Sequence, residues 1–112
     1  MYQTITNTAD IARDELGFGG VTVQLLSGDG PSGGMYLLTT MAPGGAIPAH
    51  QHTEANEFVY VVSGEFVEAG KAYGPGSVFF GLAGTPHGPH TTTNGCVVLT
   101  HYSGPLDFVP VA

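Results

Sequence analysis

Five histidines in this 112-residue chain are the residues whose types and spacing most suggest chemistry. His50 and His52 are separated by one residue, which on a strand places both imidazoles on the same face. Glu57 follows at the start of the next apolar run, EFVYVV. Two imidazoles and a carboxylate suit a divalent first-row metal ion. A bare His-x-His pair more often belongs to a surface loop, and it is the downstream glutamate, the flanking glycines and a later histidine-rich turn that favour a metal site here.

Two stretches of the chain resemble the paired motifs of the cupin superfamily. Residues 44–64 fill every fixed position of the first motif, which runs glycine, five residues, His-x-His, three or four residues, glutamate, six residues, glycine. Residues 76–91 match the second motif at Gly76, Gly84 and His87. Leu82 stands where proline is usual, and Thr91 stands where asparagine is usual. In the family both positions support the local turn and do not bind the metal. The departures therefore affect the predicted conformation of the turn more than the predicted metal site.

The resemblance covers residues 35–103 and implies one divalent ion, with Fe, Mn, Ni, Cu and Zn all open. The implied ligands are His50, His52, Glu57 and His87. Glu54 is the rival carboxylate, because it too lies close to His52. We prefer Glu57 because its spacing fits the motif and because it shares strand parity with apolar residues expected to face inward.

Two further histidines are candidates for catalysis. The motifs do not place His90, which we expect to be exposed or to lie beside the ligands at the pocket. His101 shares strand parity with Val97 and Leu99 in the last long apolar run. If those two residues are core, His101 points inward as well, either as a satisfied core histidine or as a catalytic or substrate-binding group.

The implied ligand set leaves several functions open. Four protein ligands close a tetrahedral zinc site, whereas a six-coordinate ion keeps two positions for substrate and O₂ or water. A dication with one glutamate carries a formal charge of about +1, which favours an enolate, phenolate or carboxylate. The resemblance therefore implies first a small-molecule dioxygenase and second a non-redox isomerase, lyase or cyclase. A binding or sensing barrel is the third possibility, since residues 64–95 loosely resemble the cupin domain of zinc-binding anti-sigma regulators. Those regulators carry a separate interaction domain that we do not find in this sequence.

Short apolar runs alternate with turn clusters along the chain, which is typical of an all-β sandwich or barrel. We expect strands at 21–26, 35–41, 57–62, 65–68, 77–80, 87–90 and 96–102, with a flexible loop over 27–34. Only residues 8–16 could form a helix, with Ile11 and Leu16 facing inward. The prediction is one small antiparallel β-barrel over residues 1–112, which the cupin resemblance makes a jelly roll, with residues 1–20 as an N-terminal extension and 35–103 as its core.

Charge and composition limit the partners. Two lysine or arginine residues stand against nine acids, giving a net charge of −7, which disfavours nucleic acid and anionic membranes. With no leader and no long apolar run, we expect a cytoplasmic protein that binds a small-molecule substrate. The single cysteine excludes an internal disulfide and, followed by an apolar run, is expected to be a buried structural thiol. Aromatic residues on the outer surface would suit a homodimer.

Overall fold

Strands make up nearly all the regular structure in the computed structural model, which describes residues 1–29 and 31–111. Within this part of the chain they are β1 (Asp14–Glu15), β2 (Val21–Asp29), β3 (Gly33–Met41), β4 (Ala46–Ile47), β5 (His50–Gln51), β6 (Glu57–Gly64), β7 (Phe66–Glu68), β8 (Lys71–Tyr73), β9 (Val78–Gly81), β10 (His90–Thr91), β11 (Cys96–Tyr102) and β12 (Val109–Pro110). All of the pairings between them are antiparallel. The predicted all-β class is confirmed.

The strands form two facing sheets and a short ribbon. The larger sheet has the order β1-β2-β3-β11-β6-β9, the smaller has the order β4-β10-β7-β8, and β12 pairs with β5. Strands β3 and β11 are neighbours although they are distant in sequence, which gives the crossed connections of a jelly roll. His50 of β5 and His90 of β10 are both buried, so their side chains lie in the interior.

The main core lies where the two sheets face each other. Ile47 and Phe66 of the smaller sheet pack against Val21, Val61 and Val98 of the larger one. Cys96 belongs to the same cluster and is buried, and burial raises its thiol pKa. This confirms the expectation that the cysteine is buried.

Alternation along β6 fixes which of its residues reach that core. Glu57, Val59 and Val61 are buried, whereas Tyr60 and Val62 are exposed. The β-branched and aromatic residues of this strand fit a pleated, half-buried surface. Glu57 therefore shares the interior face, as its predicted parity required.

Residues 8–16 do not form the expected helix. A single 3-10 turn spans Thr8–Asp10, and the Asn7 side chain accepts a hydrogen bond from the Ala9 amide at 2.9 Å. The chain then extends so that Asp14 and Glu15 pair with β2. Ile11 is half-buried and Leu16 is exposed. Pairing with an available sheet edge has overridden a weak helical pattern.

Other sequence-based boundaries also shift. The loop expected over 27–34 is shorter, because β2 extends to Asp29 and β3 begins at Gly33. The strand expected over 87–90 begins only at His90. Five short strands, β1, β4, β5, β8 and β12, were not expected at all. The part of the chain that the structure describes contains no helix long and apolar enough to cross a membrane.

Candidate metal centre

His50 and His52 enter the interior from one short segment. His50 lies in β5, and its backbone exchanges two 2.9 Å hydrogen bonds with His87, the residue that leads toward β10. His52 follows β5 directly, and both side chains are buried. The two cupin-like stretches are thus joined by backbone pairing, and this pairing brings the third predicted imidazole beside the first two.

Glu57 supplies a carboxylate to the same point. It is the first residue of β6 and is buried. Its Oε1 lies 3.3 Å from His87 Nε2, and its Oε2 lies 3.7 Å from His52 Nε2. The rival Glu54 is exposed, as expected for a residue of the solvated loop.

Two of the separations between these atoms suit neighbouring ligands of a metal ion. His87 Nε2 lies 3.0 Å from His50 Nε2. Two nitrogens bound at about 2.1 Å and at right angles on one ion would stand about 3 Å apart. The nitrogen–nitrogen separation and the 3.3 Å separation of His87 from Glu57 are both close to that value.

Backbone carbonyls fix which ring nitrogen faces the centre. His50 Nδ1 lies 2.7 Å from the Pro48 carbonyl oxygen, and His52 Nδ1 lies 2.6 Å from that of Asp107. Because a carbonyl oxygen only accepts, each Nδ1 carries a proton, so in the neutral form of either ring the unprotonated nitrogen is the inward-facing Nε2. His52 Nε2 is buried and has no hydrogen-bond partner among residues 1–29 and 31–111. An orphaned buried nitrogen of this kind is what a metal ion would satisfy.

Electrostatics keep the donors in binding-competent forms. Burial, with the nearby His87 and His52 imidazoles, lowers the pKa of His50 to about 4, so its ring is neutral at physiological pH. Burial also lowers the pKa of His87, although the Glu57 charge partly opposes this. Burial would raise the pKa of Glu57, but hydrogen bonds with His52 and Tyr102, together with the nearby His87 imidazole, outweigh burial and lower the pKa. The carboxylate is therefore ionised.

His52 is balanced differently from the other two imidazoles. Burial lowers its pKa, but Glu57 and the Asp107 carbonyl together outweigh that effect and raise the pKa. Tyr102 packs its ring edge-on against His52 with centroids 5.2 Å apart. Burial, and then the Glu57 charge, raise the pKa of Tyr102 well above the ordinary value, so this phenol stays protonated.

His90 joins the cluster instead of facing solvent. It is buried, with its Nδ1 2.5 Å from Glu68 Oε2 and its ring stacked on Phe66. Of the two places expected for His90, exposed at the surface or beside the ligands at the pocket, the structure shows the second, because β10 turns this side chain between the sheets. The donor atoms form two overlapping groups that could hold an ion, one of His52, Glu57 and His87 and one of His50, His87 and His90. His87 belongs to both.

His101 lies on the opposite face from the cluster. In β11 the buried residues are Cys96, Val98, Thr100 and Tyr102, so His101 shares the outer face with Val97 and Leu99. The parity that suggested an inward side chain was wrong, because both faces of β11 carry apolar residues. His101 instead contacts Tyr36 at a ring-centroid distance of 4.5 Å.

Two cavities adjoin the histidines. One, of about 130 Å³, reaches His50, His52, Glu57 and His90 and has mostly apolar walls that include Leu37 and Val98. The other, of about 170 Å³, lies between His87 and Phe79 and also reaches Glu68. A small organic molecule could therefore approach the cluster with its carbon skeleton against apolar side chains.

The segment after β11 contributes side chains that the sequence pattern did not reveal. Phe108 stacks on the His50 ring, with centroids 4.3 Å apart and planes at 24°. Asp107 accepts from His52 through its backbone, and its carboxylate accepts from the Thr53 amide at 2.8 Å and from the Thr53 hydroxyl. No local motif marks these residues, because their partners lie more than fifty positions away.

The family model of the ChrR cupin-like domain matches residues 2–107. The chain belongs to the ChrR cupin-like family. This membership and the jelly-roll architecture confirm the resemblance read from the two motifs. No curated protein matches the chain closely enough to count as a relative.

Solved cupins have the same fold. The polyketide cyclase RemF from Streptomyces resistomycificus superposes with a TM-score of 0.81 at 21% identity, over 99% of this chain and 87% of that one. An acetylacetone dioxygenase candidate from Methylibium petroleiphilum PM1 gives 0.76 at 16% identity, over 100% and 88%. A chain of the Rhodobacter sphaeroides complex between SigE and the anti-sigma ChrR gives 0.67 at 24% identity, over 84% and 49%. At these identities the likeness shows the fold alone.

Proposed function

We propose that this cupin is a metal-dependent enzyme acting on a small oxygen-bearing organic molecule, and that its reaction is oxygenation by O₂. One observation carries the proposal. The imidazoles of His50, His52 and His87, of which the first two are buried and the third is half-buried, cluster with the ionised Glu57 carboxylate beside an apolar cavity. Structural ion pairs rarely need the ring nitrogens of three histidines close to one carboxylate, whereas a metal centre does.

The chain's own residues divide the work. A divalent ion at this position would supply Lewis acidity and, if redox-active, electron transfer to dioxygen. Glu57 neutralises only part of the ion's charge. The centre therefore keeps a net positive charge, which attracts an anionic enolate or phenolate oxygen. The apolar walls around Leu37 and Val98 hold the carbon skeleton and exclude water.

His90 is the residue that we propose to meet the substrate. A Glu68 carboxylate oxygen lies 2.5 Å from His90 Nδ1, which leaves Nε2 as the ring nitrogen that would accept a hydrogen bond from a substrate hydroxyl or enol. His90 lines both cavities, so it can reach a molecule in either. In this proposal His101 has no catalytic role, since it lies on the outer face of the sheet.

Oxygen uptake tests the proposal. The metal-free protein is reconstituted with Fe²⁺, Mn²⁺, Ni²⁺, Cu²⁺ or Zn²⁺ and offered a panel of enolisable ketones and phenols. We expect O₂ consumption with at least one redox-active ion and none with Zn²⁺. His90→Gln should reduce turnover at least tenfold, whereas His101→Gln serves as the matched control and should leave it unchanged. Metal binding without O₂ uptake across the panel would refute the oxygenase assignment.

A non-redox cyclase or isomerase is the second candidate. The superposition with the polyketide cyclase RemF covers nearly the whole chain, and the pair of buried His90 and half-buried Glu68 can hold or pass a proton without any oxidant. Conversion of a substrate under strict anaerobiosis, at equal rates with Zn²⁺ and Fe²⁺, would favour this reaction over oxygenation.

A sensing role is the third candidate, because the matching family takes its name from ChrR and the fold recurs in an anti-sigma complex. Saturable ligand binding without turnover in either atmosphere would favour it. Such a result would be compatible with the proposed metal centre but would refute an enzymatic function.

The outer face of the larger sheet supports a homodimer as part of the proposal. Phe80 pairs with Phe58, and Tyr60 with Leu99, across neighbouring strands, while Tyr60, Val78 and Phe80 are exposed. The chain carries a net charge of −7, so charged faces of two copies repel each other. An uncharged, apolar face such as this one brings no like charges into contact when two copies associate. We expect light scattering to give about 23 kDa, twice the 11.5 kDa of one chain; the single-chain mass would refute the dimer.

A further inference from the structure

Residues 106–111, here called the strap, run beside both histidines of the His-x-His pair. Val109 and Pro110 of β12 pair with Gln51 and His50 of β5. The Val111 amide donates to the Ala49 carbonyl at 3.1 Å. The strap is therefore docked by backbone hydrogen bonds onto the strand that carries the predicted ligands.

Two strap residues touch the imidazoles directly. The Asp107 carbonyl oxygen lies 2.6 Å from His52 Nδ1. It fixes the ring orientation that turns Nε2 toward Glu57. Phe108 stacks on the His50 ring and covers the face of that ring on the strap side.

The Asp107 carboxylate holds this carbonyl in place. It accepts from both the backbone amide and the hydroxyl of Thr53, the residue that follows His52. Asp107 thus binds Thr53, the residue after His52, through its carboxylate, and it binds the His52 ring through its backbone carbonyl. Partners that orient a metal ligand in this way typically contribute 10–100-fold to metal affinity.

We propose that Asp107 and Phe108 are positioning residues for the His-x-His pair, so that docking of the strap and binding of the ion are coupled. Such coupling is reciprocal. The factor by which the docked strap raises the affinity for the ion is also the factor by which the bound ion favours the docked strap. The strap also borders the cavity of about 130 Å³ through Leu106, Asp107 and Phe108. An ion in the centre therefore closes this side of the substrate cavity. This inference rests on the proposed metal function, and its test is built to fail separately from it.

The first test measures ion affinity by calorimetry with Zn²⁺ or Ni²⁺ alone and the full chain. We expect Asp107→Ala to weaken binding at least tenfold. Asp10→Ala is the matched control, because Asp10 is an exposed aspartate in the N-terminal turn, and it should bind as the wild type does. Phe108→Leu keeps an apolar contact but removes the stacking, and it should fall between the two. Thermal unfolding of each metal-free variant checks that the fold is intact.

The second test reads the strap without any metal. Imidazole ¹⁵N shifts at a pH of about 8.5, above the usual imidazole pKa, report which nitrogen of His52 carries the proton. We expect the Nδ1–H form in the wild type and a shift toward Nε2–H in Asp107→Ala. Hydrogen exchange of the Val111 amide should accelerate in that variant and slow in the wild type when the ion is added.

The outcomes separate the two proposals. Wild-type ion binding with an unchanged affinity and an unchanged His52 tautomer in Asp107→Ala would overturn the strap and leave the metal centre standing. A wild type that binds neither ion, with the tautomer still shifted in the variant, would overturn the metal function while showing that the strap positions His52.

Discussion

Removing the charge of Glu57 while keeping its shape is the sharpest perturbation of the proposed centre. Glu57→Gln preserves the volume of a buried side chain whose two oxygens lie 3.3 and 3.7 Å from the imidazoles of His87 and His52. Because the substitution is nearly isosteric, we expect the fold to survive. What changes is the attraction between the carboxylate and a divalent ion.

The magnitude follows from Coulomb's law. Two unit charges about 4 Å apart, in an effective dielectric of about 20, attract by about 4 kcal/mol, and a dication doubles this to about 8 kcal/mol. The glutamine oxygen recovers part of the loss, and burying the carboxylate already has a cost in the metal-free protein. We therefore expect a net loss of at least about 2.8 kcal/mol, which is about 100-fold in dissociation constant.

The assay is competition between the metal-free protein and a chelating dye for Zn²⁺ or Ni²⁺. Glu54→Gln is the matched control, because it removes the same charge from the exposed residue three positions earlier. We expect its affinity to stay within about twofold of the wild type, since exposed charges are strongly screened. Equal affinities for wild type and Glu57→Gln, or a loss confined to Glu54→Gln, would refute the assignment of the carboxylate ligand.

Three further predictions concern the ligands, the ion and the barrel. His52→Ala should lower the metal content of purified protein measured by elemental analysis, whereas His101→Ala on the outer face should not. Chelation should lower the melting temperature, since an ion at about 100 times its dissociation constant contributes about 2.7 kcal/mol; an unchanged melting temperature would contradict a bound ion. Gly64→Ala should lower the free energy of unfolding by at least about 2 kcal/mol in denaturant titrations, because a Cβ there would lie 2.1 Å from the Gly95 oxygen. Gly70 also has a positive φ but no atom within 4 Å of such a Cβ, so Gly70→Ala should cost only about 1 kcal/mol, and equal losses would show that the contact is irrelevant.

The sequence could predict that His50, His52 and Glu57 lie close together because the signals for this are local. His50, His52 and Glu57 lie within eight residues, and their spacing restricts how they can be arranged around a strand and a short loop. Alternation in EFVYVV predicted that Glu57 faces inward with Val59, and the structure confirms this. The separate motif around His87 became part of the same site through backbone pairing with His50.

The sequence could not place His101 or the strap, for different physical reasons. Both faces of β11 carry apolar residues, because the outer sheet face is itself apolar, so periodicity cannot choose between Val97 and Val98 as core. Asp107 orients His52 through a backbone carbonyl, a group that every residue type possesses. The helix expected over 8–16 does not form for a third reason. The end of this short segment pairs with β2, and this pairing is more stable than a short helix.

The most direct measurement of the central claim is anomalous diffraction from crystals of this protein grown with Zn²⁺ or Ni²⁺. The proposed metal centre predicts one strong peak per chain, at about 2.0–2.2 Å from Nε2 of His50, His52 and His87 and from a Glu57 oxygen. No peak inside the barrel would contradict the account, and so would a peak bound by His50, His87 and His90 with His52 and Glu57 left out.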